Sequence, residues 1–189
     1  RRAINGEDAD VIPLYPMKHA WAWQYYNAAN ANHWLPTEIS MQLDIEQWKS
    51  KTILTQDERH AFETVLGFFT TADSIAANNI VIATYRHITS PEIRMYLLRQ
   101  AYEEAIHTHA YQYIVESLAM DESKIFNMYR ERDAIYNKAS FILNFNEGIF
   151  NKDFQTGTFE NDQRFLENMC VFSLIMEGIF FYSSFAVVF

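Results

Sequence analysis

With 189 residues, 49% of them apolar and 16% aromatic, the chain is long enough to bury one substantial core and too apolar to be disordered. Five glycines and four prolines, the last at Pro91, leave almost everything beyond that point free to be helical, so an all-α protein is expected. A formal charge of −9 without a basic cluster argues against nucleic acid as a partner, and the single cysteine, Cys170, excludes an intrachain disulfide and a thiolate metal site, pointing to the reducing cytoplasm.

Residues 1–16, punctuated by Gly6, Pro13 and Pro16, read as an irregular arm without the apolar stretch of a secretion signal. Met17 to Trp34 predicts a short helix packed on a larger body, most of its rings (Trp21, Trp23, Tyr25, Tyr26, Trp34) in the core, before Pro36 stops it. Glu38 to Lys51 reads as loop with a short helix. Thr55 followed by Glu58 has capping-box spacing and opens a long helix through about Ile88. Along it Phe62, Leu66, Phe69, Asp73, Ala76 and Ile80 recur at steps of four and three, one buried stripe interrupted by a carboxylate. Asp73 is costly there unless hydrogen-bonded, protonated or bound to metal.

Ser90 as N-cap and Pro91 at the first helical position open a second long helix, free of Gly and Pro through Met120 and expected to run antiparallel to the first. At 3.6 residues per turn Glu104, His107 and Tyr111 project from nearly one face, and Glu104xxHis107 is a metal-ligand spacing. Alone, such a pair is more often a solvated helix face. Asp121 to Phe150 predicts one or two shorter helices, Asn151 to Gly157 a loop, and a last long helix starts near Thr158 to Asp162. There Cys170, Leu174, Glu177, Phe181, Ser184 and Val188 step by four and three, again with one carboxylate in an apolar stripe. Met169 to Phe189 is long enough to span a bilayer, but Glu177 would then be an expensive central charge, so a core helix and no membrane are expected. His60, three residues after Asp57, lies in a charged first turn and reads as solvated; His19, His33, His87 and His109 lack a carboxylate at helical spacing.

Carboxylate-bridged two-metal bundles draw one carboxylate from each of two helices and an ExxH pair from each of two others. Asp73, Glu104, His107 and Glu177 on three helices fit part of that rule, and oxygen and imidazole donors without sulfur suit iron or manganese. Tyr111 lies one turn beyond His107, about 6 Å along the axis, and is either an electron donor to such a centre or a core ring with a bonded hydroxyl.

The motifs Trp34-Leu-Pro-Thr-Glu38, Thr71-Ala-Asp73-Ser-Ile-Ala-Ala-Asn-Asn79, Glu103-Glu-Ala-Ile-His107-Thr-His-Ala-Tyr111 and Met176-Glu177-Gly-Ile-Phe-Phe181-Tyr-Ser-Ser-Phe185 closely resemble those of the small, radical-generating subunit of class I ribonucleotide reductase. The resemblance covers nearly the whole chain. It implies a ferritin-like bundle, with Asp73, Glu104, His107 and Glu177 as ligands of two iron ions in an oxygen-bridged centre. It further implies a stable radical on Tyr111, Phe181 and Phe185 lining the radical pocket, and Trp34 on the route to the large subunit, where ribonucleotides lose the 2′-hydroxyl. A homodimer is implied as well. Manganese is an alternative metal; a manganese-iron branch of the family carries Phe at the radical position and Glu at the first ligand, so Tyr111 and Asp73 resemble the tyrosyl, di-iron branch. The family's second ExxH helix, with an aspartate linking metal to tryptophan, should follow Phe189. The chain is therefore expected to be the N-terminal portion of a single ferritin-like domain, residues 1–35 forming its arm and first short helix, with two of six ligands outside it and little activity alone. Two rival readings are a ferritin-like di-iron oxidase or iron-handling protein without radical transfer, and a non-enzymatic helical or membrane-tail protein.

Overall fold

A capping box begins the central helix. In the computed structural model, which describes residues 2–7 and 11–188, Thr55 Oγ1 accepts from the Glu58 amide at 3.2 Å and the Glu58 carboxylate accepts from the Thr55 amide at 2.7 Å. Residues 1 and 8–10 of the predicted arm, and residue 189, lie outside the described residues. The helix so opened, α3 (Gln56–Asn78), continues as a π-helical segment (Asn79–Thr84) and a 3-10 turn (Tyr85–His87), so the run ends where the pattern predicted. Before it come α1 (Ala20–Ala31), a 3-10 turn (Pro36–Glu38) and α2 (Gln42–Lys49). Among the described residues there is no strand, only one bridge between Ile4 and Ile88.

After α3 the chain turns into α4 (Pro91–Ser117). The two are antiparallel: Asp73 faces His107 while Phe69 stacks on Tyr111, so numbers fall along one helix as they rise along the other. Leu66, Phe69, Asp73, Ala76 and Ile80 are buried and Phe62 is half-buried, as the stripe predicted. Three short helices follow, α5 (Glu122–Phe126), α6 (Met128–Glu131) and α7 (Asp133–Asn146), more than the one or two expected, because Asn127 and Arg132 leave helical backbone geometry between them. Ile125, Met128, Ile135 and Ile142 from these helices pack on Leu66 and Phe68. The approach is closest at Gly67, where a Cβ would lie 2.8 Å from Met128 Sδ.

The last helical run is α8 (Phe159–Cys170), a π-helical segment (Val171–Phe181) and α9 (Tyr182–Val188), capped by Thr158, whose hydroxyl accepts from the Asn161 amide at 3.2 Å. Its buried side is Phe165, Asn168, Phe172, Met176, Phe181 and Ser184, which corrects the predicted stripe: Cys170, Leu174 and Val188 are exposed. The step from Met176 to Phe181 is five residues, the spacing of an i→i+5 helix, and it shifts the register of everything before it. A second correction concerns α1. Trp21 and Tyr25 are exposed, Trp23, Tyr26 and Trp34 are half-buried, and Ala22 is its buried residue; Tyr25 leans on Tyr96 of α4 from the outside. By length and composition Gln56–His87 and Phe159–Val188 could each cross a membrane, yet both carry a carboxylate, Asp73 and Glu177, turned toward the other's charge inside the bundle.

One buried carboxylate ties the N-terminal part to this frame. Ser90 does not cap α4; its hydroxyl donates to Glu92 at 2.8 Å, and the other Glu92 oxygen accepts the amides of Lys18 at 2.6 Å and His19 at 3.3 Å, just ahead of α1. Burial pushes the Glu92 carboxyl up, but the backbone amides and the Ser90 hydroxyl outweigh it and hold the group down at about 2. Replacing Glu92 by Ala is expected to cost about 3 kcal/mol in urea unfolding, as two amides and a hydroxyl lose a charged acceptor. Since the folded pKa lies below the ordinary 4.5, this contribution is present above that pH and lost as pH falls toward about 2, which pH-dependent unfolding of the parent and of Glu92→Ala measures.

Candidate metal centre

Asp73, 2% exposed, projects from the middle of α3 toward α4, where Glu104 and His107 stand one turn apart. His107 Nδ1 is 3.1 Å from Glu104 Oε2 and 3.7 Å from Asp73 Oδ2, and one donor atom from each of the three residues lies within 4.8 Å of the others. Glu177 comes from the π-helical segment of the last run. It is half-buried and lines a cavity of about 530 Å³ together with Asp73, His107, Tyr111, Phe181 and Phe185. The tight cluster is thus Asp73, Glu104 and His107, with Glu177 across the cavity.

The electrostatics of this arrangement are those of negative charge brought together in an apolar setting. Burial, reinforced by Glu104, pushes the Asp73 carboxyl up to about 7 against the opposing effects of Tyr111 and His107. Burial and the charges of Glu104 and Asp73 likewise push Glu177 up to about 7. For His107 burial acts downward, but the hydrogen bond to Glu104 and the charges of Asp73, Glu104 and Glu103 prevail and raise it. The Tyr111 phenol is held far above its ordinary value by burial and by the nearby Asp73, Glu104 and Glu177, so it stays protonated.

A cation suits these residues. Asp73 Oδ2 is buried and has no hydrogen-bond partner, an acceptor left over beside a second carboxylate and an imidazole. Three carboxylates and one imidazole, without sulfur, are the donors that iron and manganese take. Without a cation, protons must do the neutralising.

Aromatic rings stand around the phenol. Phe69 stacks on Tyr111 at 5.8 Å and on Phe181 at 5.5 Å, and Phe185 leans on Phe69 at 5.2 Å, although Phe185 itself is 36% exposed. Trp34 also lines the cavity, its ring 6.3 Å from the His107 ring. The residues singled out from sequence therefore gather in one place. The remaining histidines do not join them: His60 is exposed, and His87, buried between Phe154 and Phe165, is pushed down to about 4 by burial and Arg86.

Glu103 and Arg99 went without a role in the sequence reading. Trp34 Nε1 donates to Glu103 Oε1 at 2.8 Å, and the other Glu103 oxygen accepts from the Arg99 guanidinium. Their i, i+4 spacing on α4 was the available signal.

The raised carboxyls set a pH dependence. Folded Asp73 and Glu177 keep protons up to about pH 7 that unfolded ones, at 3.8 and 4.5, release, so the metal-free fold loses stability as pH rises through this window. A divalent cation must displace those protons, so Mn²⁺ affinity measured by calorimetry is expected to rise from pH 5 to 7, to flatten above that, and to release protons into the buffer.

Comparison with known proteins follows the same lines. Residues 11–189 match the family model described as "Ribonucleotide reductase, small chain". The ribonucleoside-diphosphate reductase subunit beta of Chlamydia pneumoniae is 47% identical over 185 residues, 98% of this chain and 53% of that protein. The subunit beta of Treponema pallidum is 28% identical over 190 residues, 98% of this chain and 50% of that one. Among solved structures, the ribonucleotide reductase R2 subunit from Clostridium botulinum superposes with a TM-score of 0.85 at 30% identity, covering 100% of this chain and 56% of that one. The dimanganese(II)-NrdF of Streptococcus sanguinis, at 20% identity and a TM-score of 0.73 over 95% of this chain and 58% of that one, shares the fold. The helical architecture is the ferritin-like one of these proteins, and the chain spans about half the length of the curated relatives it matches.

Proposed function

The chain belongs to the ribonucleotide reductase small-chain family, and from that premise we propose that it carries the radical-forming half of a ribonucleoside-diphosphate reductase small subunit. Asp73, Glu104, His107 and Glu177 hold the metal ions, and Tyr111 is the residue that becomes a stable radical. What carries this reading is the convergence of Asp73, Glu104 and His107 within 4.8 Å of one another in a cavity that Tyr111 also lines. Two iron ions, or manganese in their place, supply the one-electron oxidising chemistry when bound, with dioxygen as the final acceptor.

The residues of this chain do the rest. Asp73 stands near enough to Tyr111 for its charge to act on the phenol, so a carboxylate is at hand to take the phenol proton as the ring loses an electron, and net charge does not build up in an apolar pocket. Phe69, Phe181 and Phe185 keep water from the oxidised ring. Trp34, beside the His107 ring at the cavity wall, starts the route by which the radical reaches a large subunit that reduces ribonucleotides to deoxyribonucleotides. The chain forms part of one ferritin-like domain whose remaining ligands come from the second half of a subunit of the relatives' length. That subunit works as a homodimer with the large subunit, in the cytoplasm.

Two substitutions test this in a subunit of the relatives' length containing this chain. After loading with Fe(II) in air, the parent is expected to show an electron paramagnetic resonance signal of a tyrosyl radical that Tyr111→Phe abolishes; a signal surviving that change excludes Tyr111. Trp34→Phe is expected to keep the tyrosyl signal but lower deoxyribonucleotide formation with the large subunit at least about 100-fold, the scale of a lost positioned redox partner. Full turnover in Trp34→Phe would favour a di-iron oxidase without radical transfer.

A further inference from the structure

A cavity of about 360 Å³ opens beside the turn that joins the α3 run to α4, apart from the metal centre and sharing no residue with it. Three segments wall it: the 3-10 turn Tyr85–His87, the N-terminal stretch at Asn5, and the loop of residues 152–156 ahead of α8. All three are fastened. Arg86 Nη2 donates to the carbonyls of Ile149 and of Asn151, the latter at 2.7 Å; the Thr89 amide donates to the Ala3 carbonyl at 2.8 Å, and Asn161 Nδ2 to the Gln155 carbonyl at 2.7 Å. The walls are therefore in place before any ligand enters. The charge in them is of one sign. Arg86 and Lys152 line the cavity, and among the described residues no acidic side chain does; Asp162, which Asn5 binds at 2.8 Å, also accepts the Gly157 amide at 2.7 Å. The exposed Lys152 ammonium makes no hydrogen bond or ion pair with a described residue.

His87 adds a directed donor. The ring is 7% exposed, and the Arg86 Nε–H, which can only donate, donates to its Nε2 at 3.0 Å. Nε2 is thereby the bare nitrogen, and the proton of the neutral ring sits on Nδ1. Burial and the Arg86 charge keep the ring neutral by pushing it down to about 4. No described residue accepts from Nδ1, so an N–H of a buried ring is left without a protein partner in the wall of a cationic cavity. We propose that this cavity binds the phosphate group of a small phosphorylated molecule, with the Lys152 ammonium and the His87 Nδ1–H donating to its oxygens. A phosphate monoester brings three acceptor oxygens and close to two negative charges at pH 7, which suits two cations and a fixed N–H better than a carboxylate does. Thr156 and Gln155 on the same loop offer further donors. The volume, near the lower end of the range of about 300–1,000 Å³ for small-molecule sites, leaves room for an organic part, and Phe154, edge-on to His87 at 5.2 Å, gives that part an apolar wall.

The test uses a metal-free subunit of the relatives' length containing this chain, so that no metal ion offers phosphate a rival site. Calorimetry in phosphate-free buffer of low ionic strength is expected to show saturable binding of glycerol 3-phosphate, one per chain, and none of glycerol. Lys152→Ala is expected to weaken it at least about tenfold, the loss of one charge-assisted hydrogen bond. Lys51→Ala removes the same charge from an exposed residue outside the cavity and is expected to leave the affinity unchanged. His87→Phe, which keeps a ring but not the donor, is expected to act in the direction of Lys152→Ala; if it fails to fold, Lys152→Arg, which restores the charge and most of the affinity, carries the second comparison. Inorganic phosphate as the ligand separates the two sources of the group: tighter binding of the ester assigns the site to a phosphorylated molecule, equal binding to the free ion, and either upholds a phosphate site. No saturable heat from either ligand up to about 10 mM overturns the proposal, as does binding that is indifferent to Lys152→Ala or that falls equally in Lys51→Ala.

Discussion

The structure depends on keeping a carboxylate inside the interface between two long helices. Asp73 lies where an apolar side chain would pack best, and the cost of its burial is met by the Tyr111 hydroxyl, the His107 imidazole and the pull toward a proton or a cation. The antiparallel pairing of α3 and α4 follows from the short link between His87 and Pro91, and it brings Asp73 against Glu104 and His107. Glu177 repeats the problem on the last helical run, where burial, Glu104 and Asp73 push its carboxyl up. A fold that concentrates like charge in this way is less stable empty than filled, which makes ligand binding and folding parts of one free energy.

Around this point the molecule separates two environments. On one side Phe69 stacks on the phenol ring, and Phe181 and Phe185 pack against Phe69. On the other, Trp34, Glu103 and Arg99 form a polar connection toward α1. α4 serves both because adjacent residues on it face different sides, and the Glu103-Glu104 doublet uses that geometry directly.

Much of this was legible along the chain. Thr55 with Glu58, the break at Pro91 and the four-three recurrence of Phe62 through Ile80 located the two central helices, because caps and amphipathic periodicity act over a few residues. The carboxylates out of place in apolar stripes, Asp73 and Glu177, marked the centre for the same reason. The failures lay where local pattern is silent. Trp21 and Tyr25 looked like core residues, but α1 buries Ala22, and no propensity states which face of a short aromatic helix a neighbour will cover.

The amino-acid order by itself determined that the chain is helical, where its two longest helices begin, and that Asp73, Glu104, His107, Tyr111 and Glu177 are chemically exceptional, since these follow from spacing and the cost of burying charge. Only the tertiary structure decided the register of the last run and the partner of Trp34. The π-helical segment at Val171–Phe181 inserts a five-residue step that straight periodicity misses, and Glu103 meets the indole across 69 residues of sequence, a contact that exists only because packing brings α1 beside α4.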